Sequence, residues 1–104
     1  MKMPIWMSYD FGVNGDYDGL YYWLDNNKAK ECGNSIALFY YEYKKDIIAE
    51  LLKDLKKNIK LRKRDRIYII YKKEDKYIGK FLIGNRKGSP WEGYSGEENN
   101  EDEI

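Results

Sequence analysis

A chain of 104 residues, 42% hydrophobic and 36% charged with a formal net charge of +1, is too apolar to stay disordered and has room for one thin core, burying roughly 60 to 70% of its unfolded surface. It contains no histidine and one cysteine, Cys32, which excludes histidine general bases, Ser/His and Cys/His nucleophile pairs, histidine zinc sites and any disulfide within the chain. No apolar run approaches the roughly 20 residues that span a bilayer, and the opening residues lack a signal peptide's apolar stretch, so a cytoplasmic, reducing location without a membrane partner is expected.

The run Pro4-Ile5-Trp6-Met7-Ser8-Tyr9 predicts a buried strand that delivers Asp10 to its C-terminal edge before Gly12 and Gly15 open a loop. Asp16 and Asp18 then favour a helix N-terminus, with Leu20, Trp23, Leu24 and Ala29 on one face and Gly33 as its stop. Residues 35–43 are almost continuously apolar and aromatic, the composition of a long inner strand. Ile47, Ile48, Leu51, Leu52, Leu55 and Ile59 recur at helical spacing with charges between them, giving the clearest helix. Two further strands, residues 66–73 and 77–83, flank Glu74-Asp75-Lys76 and predict a hairpin. The expected architecture is therefore α+β, a ferredoxin-like sandwich: a sheet of about four strands, two helices on one face and a C-terminal hairpin. Residues 1–88 form the domain, and residues 89–104 a flexible aromatic and acidic tail.

Charge is segregated along the chain. Residues 44–66 hold ten basic and four acidic residues, a local +6, whereas residues 92–104 hold six acidic and no basic ones. The densest basic piece contributes Lys60, Arg62, Lys63, Arg64 and Arg66 between the second helix and the next strand. Such a cluster neutralises phosphates without reading sequence; it is equally the composition of a solvated surface. An acidic tail folding back would compete with nucleic acid for it.

Asp10 is the candidate catalytic and metal-binding residue, because a carboxylate at a strand end is held rigidly where loops converge. One carboxylate makes a poor site, but Mg²⁺ takes one or two carboxylates plus water and phosphate oxygens, so two copies of Asp10 across a dimer axis would serve. A strand-terminating Asp bonded to nearby backbone is the plainer reading. Asn14, Asp16, Asp18 and Asp25 fall at calcium-loop spacing, yet Leu20 to Leu24 look helical, which favours a polar loop capping that helix. Cys32, placed at a helix C-terminus, lacks the environment of a nucleophile. Trp91 and Tyr94 form an aromatic motif fit to dock on the domain itself, on a second protomer or on a protein partner.

The strand end Ser8-Tyr9-Asp10, the helix soon after it, the strand containing Phe39, the amphipathic helix and Asp65-Arg66-Ile67-Tyr68-Ile69-Ile70 together resemble the small CRISPR-associated spacer-adaptation proteins, the dimeric partner of the CRISPR integrase. The resemblance covers about residues 4–71. It implies a ferredoxin-like fold, a homodimer, handling of RNA or DNA in antiviral defence and, for some members, Mg²⁺-dependent endonuclease activity at a residue matching Asp10. The expected function is a dimeric nucleic-acid-binding protein; the alternative is a non-catalytic protein-interaction module, a small phage- or defence-related regulator or inhibitor.

Overall fold

Residues alternate across the pleat of a strand, and in this chain the alternation divides two unlike faces. A computed structural model describes residues 1–96. Its elements are β1 (Lys2–Asp10), α1 (Tyr17–Asn26), β2 (Lys30–Gly33), β3 (Ile36–Glu42), α2 (Ile47–Asn58), β4 (Arg66–Lys73) and β5 (Lys76–Ile83). The strands make one antiparallel sheet in the order β2-β3-β1-β4-β5, an α+β arrangement compatible with a ferredoxin-like sandwich carrying one extra strand. No helix among the described residues is long and apolar enough to cross a membrane. The acidic residues 97–104 lie outside the described residues.

The core sits between one sheet face and both helices. Register places Ile5 opposite Phe39, Met7 between Ala37 and Ile69, and Tyr9 opposite Ile67, all buried. Leu20, Trp23 and Leu24 of α1 and Ile47, Leu51 and Leu55 of α2 complete it, with Trp23 set edge-on to Phe39 at 5.2 Å between ring centroids. Each such side chain contributes about 1.5 to 3 kcal/mol when taken out of water. Pro4 is tolerated in this central strand because it precedes the stretch, Trp6 to Asp10, that pairs with β4.

One predicted boundary is corrected. The first helix ends at Asn26, well before Gly33, and residues 30–33 are a separate strand. The stop is a left-handed turn at Lys28 (φ 56°), with its N–H donated to the Asp25 carbonyl and the Ala29 N–H to the Leu24 carbonyl. That is the hydrogen-bond pattern by which helices commonly end at glycine, executed here by lysine. Cys32 accordingly lies on an exposed edge strand rather than at a helix end, and the long strand expected over residues 35–43 is β3 alone, joined to β2 through Asn34 and Ser35.

Helix α2 starts on a cage of acceptors. Asp46 takes the N–H groups of Ile48 and Ala49, while Glu50 takes those of Lys44, Lys45 and Asp46. The Lys45 N–H foremost, with those of Lys44 and Asp46, holds the Glu50 carboxyl below its ordinary 4.5; the N–H groups of Lys60 and Gly19 hold Asp16 below its ordinary 3.8. A depressed folded pKa stabilises the fold above the unfolded value and ceases to do so as pH falls through the folded one. Thermal unfolding followed by circular dichroism should therefore show no loss from these groups between pH 7 and about 5, then a falling Tm below about pH 4. Glu50→Gln should lower Tm at pH 7, and its difference from the parent should shrink as the pH falls below the ordinary carboxylate range.

Candidate nucleic-acid interface

Two loops meet at the end of the sheet where β1 stops and β4 begins, and two carboxylates pin them together. Asp65 is the one buried charged residue among those described. Its Oδ1 accepts the Gly12 N–H (3.2 Å) and its Oδ2 the Arg62 N–H (2.8 Å). Asp16 caps α1 by accepting the Gly19 N–H and reaches across to accept that of Lys60, both at 2.9 Å. Any side chain on Gly19 would strike the Asp16 carboxylate, so glycine at this position leaves that carboxylate room to serve both loops.

The clamp holds the cations outward. Lys60, Arg62, Lys63 and Arg64 are exposed, and none makes a salt bridge among the described residues. Arg62, Lys63 and Arg64 line a groove of about 440 Å³ whose other wall is residues 12–15, with Val13 wholly exposed at its tip. A loop fixed by backbone hydrogen bonds loses little freedom when its side chains engage phosphates.

Asp10 and Arg66 are register partners across β1 and β4, and the Arg66 guanidinium donates to the Asp10 carboxylate. Asp10 is largely exposed, so the pair contributes at most about 1 kcal/mol; its main effect is to neutralise each partner. Beside them Ser8, Tyr68, Phe81 and Arg86 complete a recess of about 180 Å³ on the sheet face away from the helices. Among the described residues no three acidic or cysteine side chains converge on a point that could hold a metal ion, and the Asp10 carboxylate already carries a guanidinium. This recess therefore offers one carboxylate, and that carboxylate is already engaged by Arg66.

The structure sets Asp10, which the sequence had marked apart from the basic run, against Arg66, while Arg62, Lys63 and Arg64 line the groove beside residues 12–15 and Lys60 borders a third recess with Asp16. Trp91 and Tyr94 stand apart, 72% and 87% exposed. The calcium-like spacing is occupied by a capped helix: Asp18 and Asp25 lie on α1, and both oxygens of Asp16 accept backbone N–H groups. Sequence reasoning missed Arg86, Ser8, Tyr68 and Phe81, which converge only once β4 pairs with β1 and β5. It also missed Asp65, which reads as a dilution of a basic run until its burial is seen. Compared with family models, curated proteins and solved structures, the chain has no match.

Proposed function

We propose that this chain is a nucleic-acid-binding protein, built on a ferredoxin-like plan with an added fifth strand, that grips the phosphate backbone at the end of the sheet where β1 and β4 meet. The observation that carries this reading is the clamped cationic loop: Asp65 and Asp16 fix the backbone of residues 60–65 while Lys60, Arg62, Lys63 and Arg64 project outward unpaired by salt bridges. The two carboxylates stabilise the fold and at the same time fix the spacing at which the loop's cations are presented. Phosphate contacts of this kind give affinity that falls linearly with the logarithm of salt, with a slope of about −0.7 to −0.9 per contact. Fluorescence anisotropy with labelled RNA and DNA between about 50 and 200 mM salt measures that slope; binding indifferent to salt, or none at low salt, overturns the reading.

The same geometry argues for binding over hydrolysis. Asp10→Asn releases Arg66 from its carboxylate, so the expected result is tighter, more salt-sensitive nucleic-acid binding. A carboxylate that holds Mg²⁺ for phosphodiester cleavage predicts the opposite: Mg²⁺- or Mn²⁺-dependent cutting that Asp10→Asn abolishes. The resemblance to spacer-adaptation proteins is consistent with the binding reading, and cleavage would need a second protomer to bring another carboxylate beside Asp10.

A further inference from the structure

Resting on the nucleic-acid reading above, we propose that the uncovered face of the sheet binds single-stranded nucleic acid, stacking unpaired bases on its rings while Arg66 and Arg86 take a phosphate in the recess between β1 and β5. Both helices cover the opposite face, yet this one carries Trp6, Tyr40, Tyr68, Ile70, Tyr77 and Phe81. Their common side follows from register: Trp6 lies opposite Ile70, Tyr68 opposite Phe81, and Ile70 opposite Gly79. Tyr40 is 59% and Tyr77 66% exposed, an unusual concentration of aromatic surface for a face that no helix covers among the described residues.

The rings are arranged as a platform rather than a plug. A Cβ on Gly79 would collide with the Tyr68 hydroxyl, so the Tyr68 ring lies across β5 over this glycine. Phe81 meets it edge-on with centroids 5.0 Å apart, and Trp6 meets Tyr77 edge-on at 6.2 Å. Bases have two flat faces and stack on such rings whatever their sequence. A base held there leaves its phosphate within the rim, where Ser8, Arg66 and Arg86 line the recess, and the rim continues into the clamped loop, since Arg66 follows Asp65 directly.

Charge selects this occupant over a second copy. The two carboxylates on the face are already engaged, Asp10 with Arg66 and Glu42 with the N-terminal ammonium. Lys30, Lys72 and Arg86 have no salt-bridge partner among the described residues, and Lys72 sits 6.0 Å from the Tyr77 ring centroid. Two such faces would oppose like charge to like; a polyanion would not. A single strand is favoured over a duplex because paired bases keep their faces inside the stack.

Anisotropy titrations with labelled oligonucleotides of about 12 residues, as single-stranded RNA, single-stranded DNA and duplex DNA, test this directly. Both single strands are expected to bind more tightly than the duplex. Tyr40→Ala and Tyr77→Ala should each weaken single-strand binding roughly five- to a hundredfold with the salt slope unchanged, and Gly79→Ala should weaken it by displacing the Tyr68 ring. Unchanged Tm values certify the folds. Equal affinity for duplex and single strand, with no response to these three substitutions, overturns the inference while leaving the backbone-binding function intact. Failure to bind any nucleic acid overturns both. A dimer in light scattering that Ile70→Glu dissociates, with nucleic-acid binding indifferent to Tyr40 and Tyr77, assigns the face to a second copy and also overturns it.

Discussion

Asp65→Ala is expected to cost about 3 kcal/mol, because the carboxylate is fully buried and the substitution strands two partly buried backbone donors, each worth about 1 to 3 kcal/mol when left unpaired. For a domain of this size about 1 kcal/mol shifts Tm by roughly 4 to 8 °C, so melting should fall by about 12 to 24 °C. Asp65→Asn keeps an acceptor for only one of the two N–H groups and should lie between. The loss should also reach function: in the fraction that remains folded, the 12–15 and 59–65 segments lose their staple and the cations of the loop their fixed spacing. Thermal melts of the parent and both variants decide the matter. A shift under about 3 °C for alanine would show that water replaces the carboxylate at no cost.

The second large effect concerns binding alone. Replacing Arg62, Lys63 and Arg64 together by glutamine should flatten the salt dependence of nucleic-acid affinity by about two units of slope and leave Tm within a degree or two, since these side chains are exposed and make no salt bridge among the described residues. Lys44 and Lys45, at the opposite end of α2, serve as the control when compared per charge removed: their double replacement removes two charges without touching the clamped loop. Equal effects from the two sets would mean that net charge, not this loop, drives association.

Much of the fold is legible in the residues because local pattern and final packing agree. The periodicity of Ile47, Leu51 and Leu55 predicts α2, and the apolar run ending at Asp10 predicts a buried strand, which the sheet order makes the central one. Where the reading misplaces a boundary, the usual residue is absent from the usual position. Lys28 occupies the left-handed site that normally betrays a helix end by glycine, and β2 is four exposed residues with no alternation to detect.

The site divides the same way. Lys60 to Arg66 is contiguous and visible as composition, whereas Arg86, Phe81 and Ser8 converge from three separate segments. Yet the uncovered face left a trace. Strands that read as nearly continuous apolar runs belong to sheets covered on both sides, and β3 and β4 read that way although helices cover only one.

Cys32 turns these questions into measurements without further engineering. It is the chain's sole cysteine, exposed on the edge strand β2 and one strand from Tyr40 and Leu38. A single maleimide dye or nitroxide will therefore attach at one known point beside the uncovered face, in the natural sequence, and report whatever settles there through quenching or altered mobility. The same accessibility means that air oxidation can join two molecules through this thiol, so any mass measured without reductant would count a covalent artefact as an assembly.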